Sequence, residues 1–123
     1  MPAFSKLKKR KDFIRLTKSG VSLPTSSIVF QAALRIESLD SNPRIGFTTT
    51  KKLGKAVVRN KCRRRLRAAT ANIFNKLALP NTDYVAIARY NTAQVDFETL
   101  CRDFKYGINK INQKLNPKIK KED

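Results

Sequence analysis

The chain has 123 residues, enough for one domain with a modest core and too few for two, and 41% of them are hydrophobic. Lys and Arg number 27 against 9 Asp and Glu, a formal charge of +18. Charge of that size opposes a compact state until a polyanion neutralises it, so nucleic acid is the first partner to consider and an anionic membrane surface the second. In chain order, the first ten residues are basic and expected to be partly mobile. The N-terminus runs straight into charge at KLKKRKD, with no apolar stretch resembling a signal peptide or a membrane span, which reads as a cytoplasmic protein. Asp12 to Ser19 reads as a short helix closed by Gly20 in the left-handed conformation. SIVFQAALRI, residues 27–36, reads as a strand and ESLDSNP as a turn. RIGFTTT, from Arg44 to Thr50, is a second strand, a third short one is expected in the same region, and the basic loop KKLGK bends at Gly54.

From Ala56 to about Leu77 the spacing is helical, because Val58, Cys62, Leu66, Ala69, Ile73 and Leu77 form one apolar stripe. Pro80 and Asn81 make a turn, DYVAIAR from Asp83 to Arg89 reads as a strand, and NTAQ leads to the last helix. There Phe97, Leu100, Cys101, Phe104, Ile108, Ile111 and Leu115 repeat at helical spacing to near Pro117, and KIKKED is expected to be disordered. This order describes an α+β sandwich, helices packed on a mainly antiparallel sheet, in a single domain over 1–123 with its core at about 6–115 and a flexible tail at 116–123. Cys62 and Cys101 stand far apart, each on the apolar side of a helix, and read as buried free thiols.

Between Arg44 and Arg67 the basic residues are Arg44, Lys51, Lys52, Lys55, Arg59, Lys61, Arg63, Arg64, Arg65 and Arg67, with no acid among them. At about 100° per residue, Asn60, Arg63, Arg64 and Arg67 project opposite Cys62 and Leu66, while Arg59 and Arg65 flank the apolar stripe. The planar fork of Arg binds two phosphate oxygens together or stacks on a base, and the Asn60 amide can both donate and accept at a base edge or ribose hydroxyl. Ordinary solvated helix faces mix acids with bases to relieve repulsion, and this one does not. A basic amphipathic helix on a membrane or in a calmodulin-like groove would need the apolar stripe that the core requires.

A second surface is expected beside the first long strand. Ile28, Phe30, Ala32 and Leu34 alternate with Val29, Gln31 and Ala33, and Phe13 is placed to offer an aromatic platform for an unpaired base or to pack in the core. Which sheet face is open does not follow from the pattern. Nothing points to catalysis by the chain: it has no histidine, no paired cysteines of zinc spacing, no phosphate-cradling glycine motif and no serine elbow. Asp83, Asp96 and Asp103 read as a strand start, a helix cap and a helix surface.

The segment NPRIGFTTTKKLGKAVVRNKCRRRLR closely resembles the signature of the bacterial ribonuclease P protein subunit. In that family a strand R-[VI]-G leads through KK-x-G into A-V-x-R-N-[RK]-x-[KR]-R-x-x-R. LKKRKDFIRLTKSG and DYVAIAR add to the resemblance, which spans most of the chain in the family's order. It implies a two-layer αβββαβα sandwich, a small ribosomal-protein-like domain with a left-handed βαβ crossover. It implies a non-catalytic subunit, one protein per RNA and away from any membrane, in an endoribonuclease that hydrolyses a phosphodiester to remove the 5′ leader of precursor tRNA. The catalytic RNA would hold the Mg2+ ions and the protein alone no cofactor. By position, Arg59, Asn60, Lys61, Arg63, Arg64 and Arg67, extended by Lys51, Lys52 and Lys55, would face that RNA. Phe13, Thr17, Val29, Gln31 and Arg89 would line the leader cleft. Thr17 and Gln31 depart from the family, which commonly has aromatics there, and Phe30 would compensate only if the strand register shifts. On charge alone, a ribosomal or other structural RNA-binding protein is the rival reading, and a protein-only nuclease a third.

Overall fold

The alternating segments IVFQAAL and TDYVAIA pair with each other over their whole length, from Ile28 opposite Ala88 to Leu34 opposite Thr82, and this antiparallel ladder is the spine of the sheet. A computed structural model describes residues 4–35 and 41–116, so most of the turn expected at 37–43 and the tail beyond 116 lie outside the described residues. The elements are β1 (Ser5–Lys6), α1 (Arg10–Ser19), β2 (Val21–Pro24), β3 (Ile28–Leu34), β4 (Arg44–Thr48), a 3-10 turn at Lys51–Leu53, α2 (Ala56–Leu77), β5 (Thr82–Ala88) and α3 (Phe97–Leu115). After the short β1 the order is αβββαβα. The sheet runs β1-β4-β5-β3-β2, and α2 connects the parallel neighbours β4 and β5 in a βαβ unit. The antiparallel ladders are four and seven pairs long and the parallel ones two and five, so pairing is mixed with the antiparallel share larger.

Two local expectations are corrected. The additional strand is not beside Arg44–Thr50, where a 3-10 turn follows instead; it is β2, too short to show a period and ending at Pro24, which the sheet edge tolerates. Gly20 is extended, at φ −84°, rather than left-handed. Its need for glycine is steric, since a Cβ there would fall 2.6 Å from the Leu16 carbonyl and 2.7 Å from that of Ala32.

One sheet face packs against α2 and α3. Ile28, Phe30, Ala32, Ile45, Tyr84 and Ala86 meet Cys62, Leu66, Ala69 and Phe74 of α2 and Leu100, Phe104, Ile108 and Ile111 of α3. Edge-to-face aromatic pairs, Phe30 on Phe104 at 5.2 Å and Phe74 on Tyr84 at 5.3 Å, fill its centre. Phe30 is therefore fully buried, so the β3 register leaves no surface aromatic to compensate for Gln31. Phe4 lies edge-on to Phe47 and Phe74, which brings the N-terminal segment into the packing from that residue onward. The buried line of α2 passes through Thr70 and Phe74 rather than along Ile73 and Leu77, which are half-buried, and Val58 lies outside it. The Tyr84 hydroxyl donates to Asn112 Oδ1 (2.6 Å) and accepts from the Leu79 N–H (2.9 Å), while Asn112 Nδ2 donates to the Leu77 carbonyl (2.8 Å). These bonds satisfy the end of α2, and burial pushes the Tyr84 phenol up to about 12. Both cysteines are free, Cys62 buried and Cys101 half-buried, and burial raises both thiols.

Among the described elements, the opposite face carries only α1. Leu16 packs with Leu7, Ala33 and Val85, and it is the one fully buried side chain that α1 contributes. Polar contacts supply the rest of the docking. Asp83, read from sequence as a strand start, is wholly buried and accepts hydrogen bonds from Arg44 Nε (2.8 Å) and Nη2 (2.7 Å), from Arg35 Nη1 (2.8 Å) and from Arg15 Nη2 on α1. Asp96 occupies the N-cap of α3 without a side-chain cap bond. Asp103 accepts from Ser26 Oγ (2.7 Å) and Ser27 Oγ (2.6 Å), tying the β2–β3 turn to α3.

Burial alone would raise the Asp83 carboxyl, but the bonds and charges of Arg44 and Arg35 outweigh it and hold it below its ordinary value of 3.8. A depressed carboxyl stabilises the fold fully above its unfolded value, and the contribution disappears as pH falls through the folded one. Asp83→Asn should cost about 3 kcal/mol at pH 7, the low end for a broken buried pair because Arg15 and Arg44 keep some solvent contact. Denaturant melts from pH 7 to below 4 should show the wild type losing this advantage in acid; parallel pH profiles for the two proteins would refute the assignment.

Candidate nucleic-acid interface

α2 begins without a capping side chain at Lys55 and without an acid in its first turn. Lys51, Lys52 and Lys55 are exposed around that start, and Gly54 makes the preceding bend at φ 125°. Unsatisfied N–H groups and the positive end of the helix dipole therefore meet three ammonium groups, an arrangement that favours an anion.

Further along the helix the arginines divide by role. Arg64 and Arg67 are exposed with Asn60 and Lys61, and a shallow pocket of ≈ 260 Å³ lies among Asn60, Arg63, Arg64 and Arg67. Arg63, expected to project freely, is half-buried and fixed, its Nη1 on Asn60 Oδ1 (2.9 Å) and its Nη2 on Thr49 Oγ1 (2.6 Å). One of the two acceptor positions of Asn60 Oδ1 is thus taken by Arg63. Arg59 is half-buried, and its Nε is buried without a hydrogen-bond partner. Arg65 is half-buried as well, and its guanidinium donates to the carbonyls of Ala93 and Val95, holding the turn before α3.

On the face bearing α1, strand register aligns Gly46, Val85 and Gln31 in one row and Thr48, Ile87 and Val29 in the next. Phe13 packs over the first row; a Cβ on Gly46 would lie 2.9 Å from Phe13 Cε1 and closer still to its Cζ. The glycine of RIG is thus the floor on which the ring rests. Between α1 and the sheet lies a cleft of ≈ 370 Å³, lined by Phe13, Ile14 and Thr17 on the helix and by Gln31, Thr48 and Ile87 on the strands, with Arg10 and Lys18 also in its wall. The open face is therefore the one that carries Gln31.

The cleft brings together Phe13, Thr17 and Gln31 of the residues expected there. Val29 is on the same face, opposite Ile87. Arg89 is directed elsewhere, its Nη1 on the Thr25 carbonyl at 2.9 Å beyond the end of β5. Thr17 donates its hydroxyl to the Phe13 carbonyl (3.1 Å), a local bond that occupies its one proton. Thr48, Ile87, Ile14, Arg10 and Lys18 were not anticipated. Thr48 and Ile87 follow from alternation only once the β4–β5 pairing is known.

The family model described as Ribonuclease P matches residues 1–112. The chain belongs to the ribonuclease P protein family. It is 42% identical over 106 residues to the ribonuclease P protein component of Gluconacetobacter diazotrophicus, covering 85% of this chain and 89% of that one. Identity to the component from Paramagnetospirillum magneticum is 36% over 112 residues, 86% of this chain and 81% of the relative. Among solved structures, the ribonuclease P protein of Staphylococcus aureus superposes with a TM-score of 0.71 at 28% identity, covering 90% of this chain and 97% of that one. The protein from Thermotoga maritima gives 0.73 at 26%, covering 86% and 96%. Family membership implies partnership with the ribonuclease P RNA. Among the described residues no helix is long and apolar enough to cross a membrane.

The two kinds of arginine separate experimentally. Arg64→Ala and Arg67→Ala should change stability by less than about 0.5 kcal/mol, as surface substitutions do. Each should also lower the slope of log affinity for RNA against log salt by roughly 0.9 per duplex phosphate released. Arg65→Ala should cost about 2 kcal/mol, because two part-buried carbonyls lose their donors. Equal melting midpoints for the three variants would contradict this division.

Proposed function

We propose that this chain is the non-catalytic, RNA-binding subunit of ribonuclease P, which holds the catalytic RNA on α2 and the 5′ leader of precursor tRNA in the cleft beside Phe13. The observation that carries the reading is the joining of two surfaces. A cationic helix with an uncapped N-terminus lies next to a one-aromatic cleft of a size that suits a nucleotide. Phosphate contacts from Arg64, Arg67 and the Lys51–Lys55 loop supply affinity and orientation, while the cleft distinguishes a leader-bearing substrate from mature tRNA. Arg59, Asn60 and Lys61 complete the face toward the catalytic RNA, and Val29 flanks the leader.

In this reading phosphodiester hydrolysis belongs to the RNA, with its Mg2+ ions, and the protein acts by positioning. Among the described residues, the acids do not gather into a magnesium site. Asp83 is engaged by three guanidinium groups, and Asp12 lies 3.8 Å from both Arg15 and Arg44. Among the described residues no three potential ligands of the His, Cys, Asp or Glu type stand together. No step is therefore assigned to a metal on this chain. A single protein per RNA, working in the cytoplasm, completes the proposal.

The test is to add the purified protein to a bacterial ribonuclease P RNA at low magnesium and follow cleavage of precursor tRNA. Cleavage should be restored, and the holoenzyme should bind leader-bearing substrate more tightly than mature product. Absence of both effects would leave the structural RNA-binding reading in its place, and cutting that survives complete removal of RNA would favour a protein nuclease.

A further inference from the structure

The outer face of α3 takes no part in the cleft or in the cationic face of α2. This helix packs over β2 and β3 through Leu100, Phe104, Ile108 and Ile111, on the side of the sheet away from α1. At about 100° per residue, Arg102, Tyr106, Asn109 and Gln113 fall in one arc of about 60° opposite that buried line, with Lys105 and Lys110 on its two flanks. Arg102, Lys105, Tyr106 and Asn109 are exposed, and Lys110 and Gln113 are half-buried. From Thr99 to Asn116 the one acid is Asp103, and it is turned aside to Ser26 and Ser27. Glu98 lies in the first turn, where the helix dipole favours an acid. Among the described residues neither Arg102 nor Lys105 is drawn into an ion pair, in contrast to Arg15, Arg35 and Arg44. Aromatic side chains mark the same region. The exposed rings among the described residues are Tyr90 (79%), Phe97 (40%) and Tyr106 (53%), and all belong to α3 or to the turn before it. The Lys110 ammonium stands over the Tyr106 ring, 5.7 Å from its centroid, which couples the two side chains.

We infer that this face is a separate contact with the ribonuclease P RNA, one that enters the shallow minor groove of a duplex segment beside the RNA held on α2; it rests on the functional reading above. A duplex is the form that fits, because a convex helical ridge enters a groove, whereas an unpaired strand is held in a concave channel. The Asn109 and Gln113 amides and the Tyr106 hydroxyl can donate and accept at ribose 2′-hydroxyls, which line that groove. Arg102, Lys105 and Lys110 then meet phosphates on its two sides. The RNA subunit is the source rather than the substrate, since α3 lies alongside α2 in one layer while the leader cleft opens on the other face of the sheet. A membrane surface would need apolar side chains where the two amides stand.

The test is hydroxyl-radical footprinting of the protein on a bacterial ribonuclease P RNA, together with affinity for that RNA as a function of salt. For the Arg102→Ala/Lys105→Ala/Lys110→Ala protein, protection of one duplex segment should be lost while the segments protected through Arg64 and Arg67 persist. The slope of log affinity against log salt should fall by about 2.7, at roughly 0.9 per duplex phosphate. The uncharged change Asn109→Ala/Gln113→Ala should weaken protection of the same segment and leave the slope at its wild-type value. In the holoenzyme, preference for leader-bearing substrate should stay at the wild-type level in both variants. Protection that survives in both, a loss spread evenly over the RNA, or a defect confined to substrate binding would overturn the inference and leave the functional reading standing. A wild-type protein without affinity for ribonuclease P RNA would sink both.

Discussion

The position of α1 depends on one buried carboxylate. With a single fully buried side chain, this ten-residue helix has little apolar area to hold it on the sheet. Arg15 supplies the remainder by reaching Asp83 on β5, where Arg35 and Arg44 converge from the end of β3 and the start of β4. A buried charge tolerates few arrangements, because a carboxylate out of water must keep its donors. The cluster therefore fixes helix and strands in one register more than it adds to net stability. Phe13 is placed by this attachment, on the opposite side of the same helix turn from Arg15, and its ring rests on Gly46 as part of the cleft wall.

Electrostatics explains why so few acids suffice. The described Asp83, Asp103 and Asp12 all lie against hydrogen-bond donors or cations of the fold itself. They stitch elements together and do not dilute the outer positive field. The same economy applies to arginine. Arg15, Arg35, Arg44, Arg65 and Arg89 bond to carboxylates or backbone carbonyls, so they serve the fold first. Arg64, Arg67, Lys51, Lys52, Lys55 and Lys61 are left facing solvent, and their mutual repulsion is the free energy that a polyanion relieves on binding. A count of positive residues between Arg44 and Arg67 thus overstates the contact surface and understates the scaffold.

Long periodic segments made α2, α3 and the central strands legible, since an apolar face must repeat over several turns or pleats to bury a core. The bounds of α2 and α3 follow directly from Ala56–Leu77 and Phe97–Leu115. Legibility failed where one partner decides an outcome that the sequence does not localise. VSLP carries no period and becomes a strand only because β3 offers it an edge. Arg63 and Arg65 share a composition with Arg64, yet Thr49 and the Ala93–Val95 carbonyls redirect them. Helical phase separated the core from the outside and did not resolve positions at the boundary. Gly20 and Gly46 show the same limit: both are needed for close approach, Gly46 to a residue far away in the chain.

The cleft itself differs in kind from an aromatic sandwich. Phe13 is its one ring, Thr17 spends its hydroxyl on the Phe13 carbonyl, and Ile14, Ile87 and the Gln31 amide complete the surface around it. Stacking on a single ring contributes about 1–3 kcal/mol per base and tolerates every base. In the proposed role, a strand held here would draw on phosphate contacts from Arg10 and Lys18 in the cleft wall, and those weaken with salt. Gln31 adds a group that can donate and accept at a base edge, but its two-sided amide suits any of the four bases. Both features favour a strand of varied sequence, the property that the proposed leader-binding role requires.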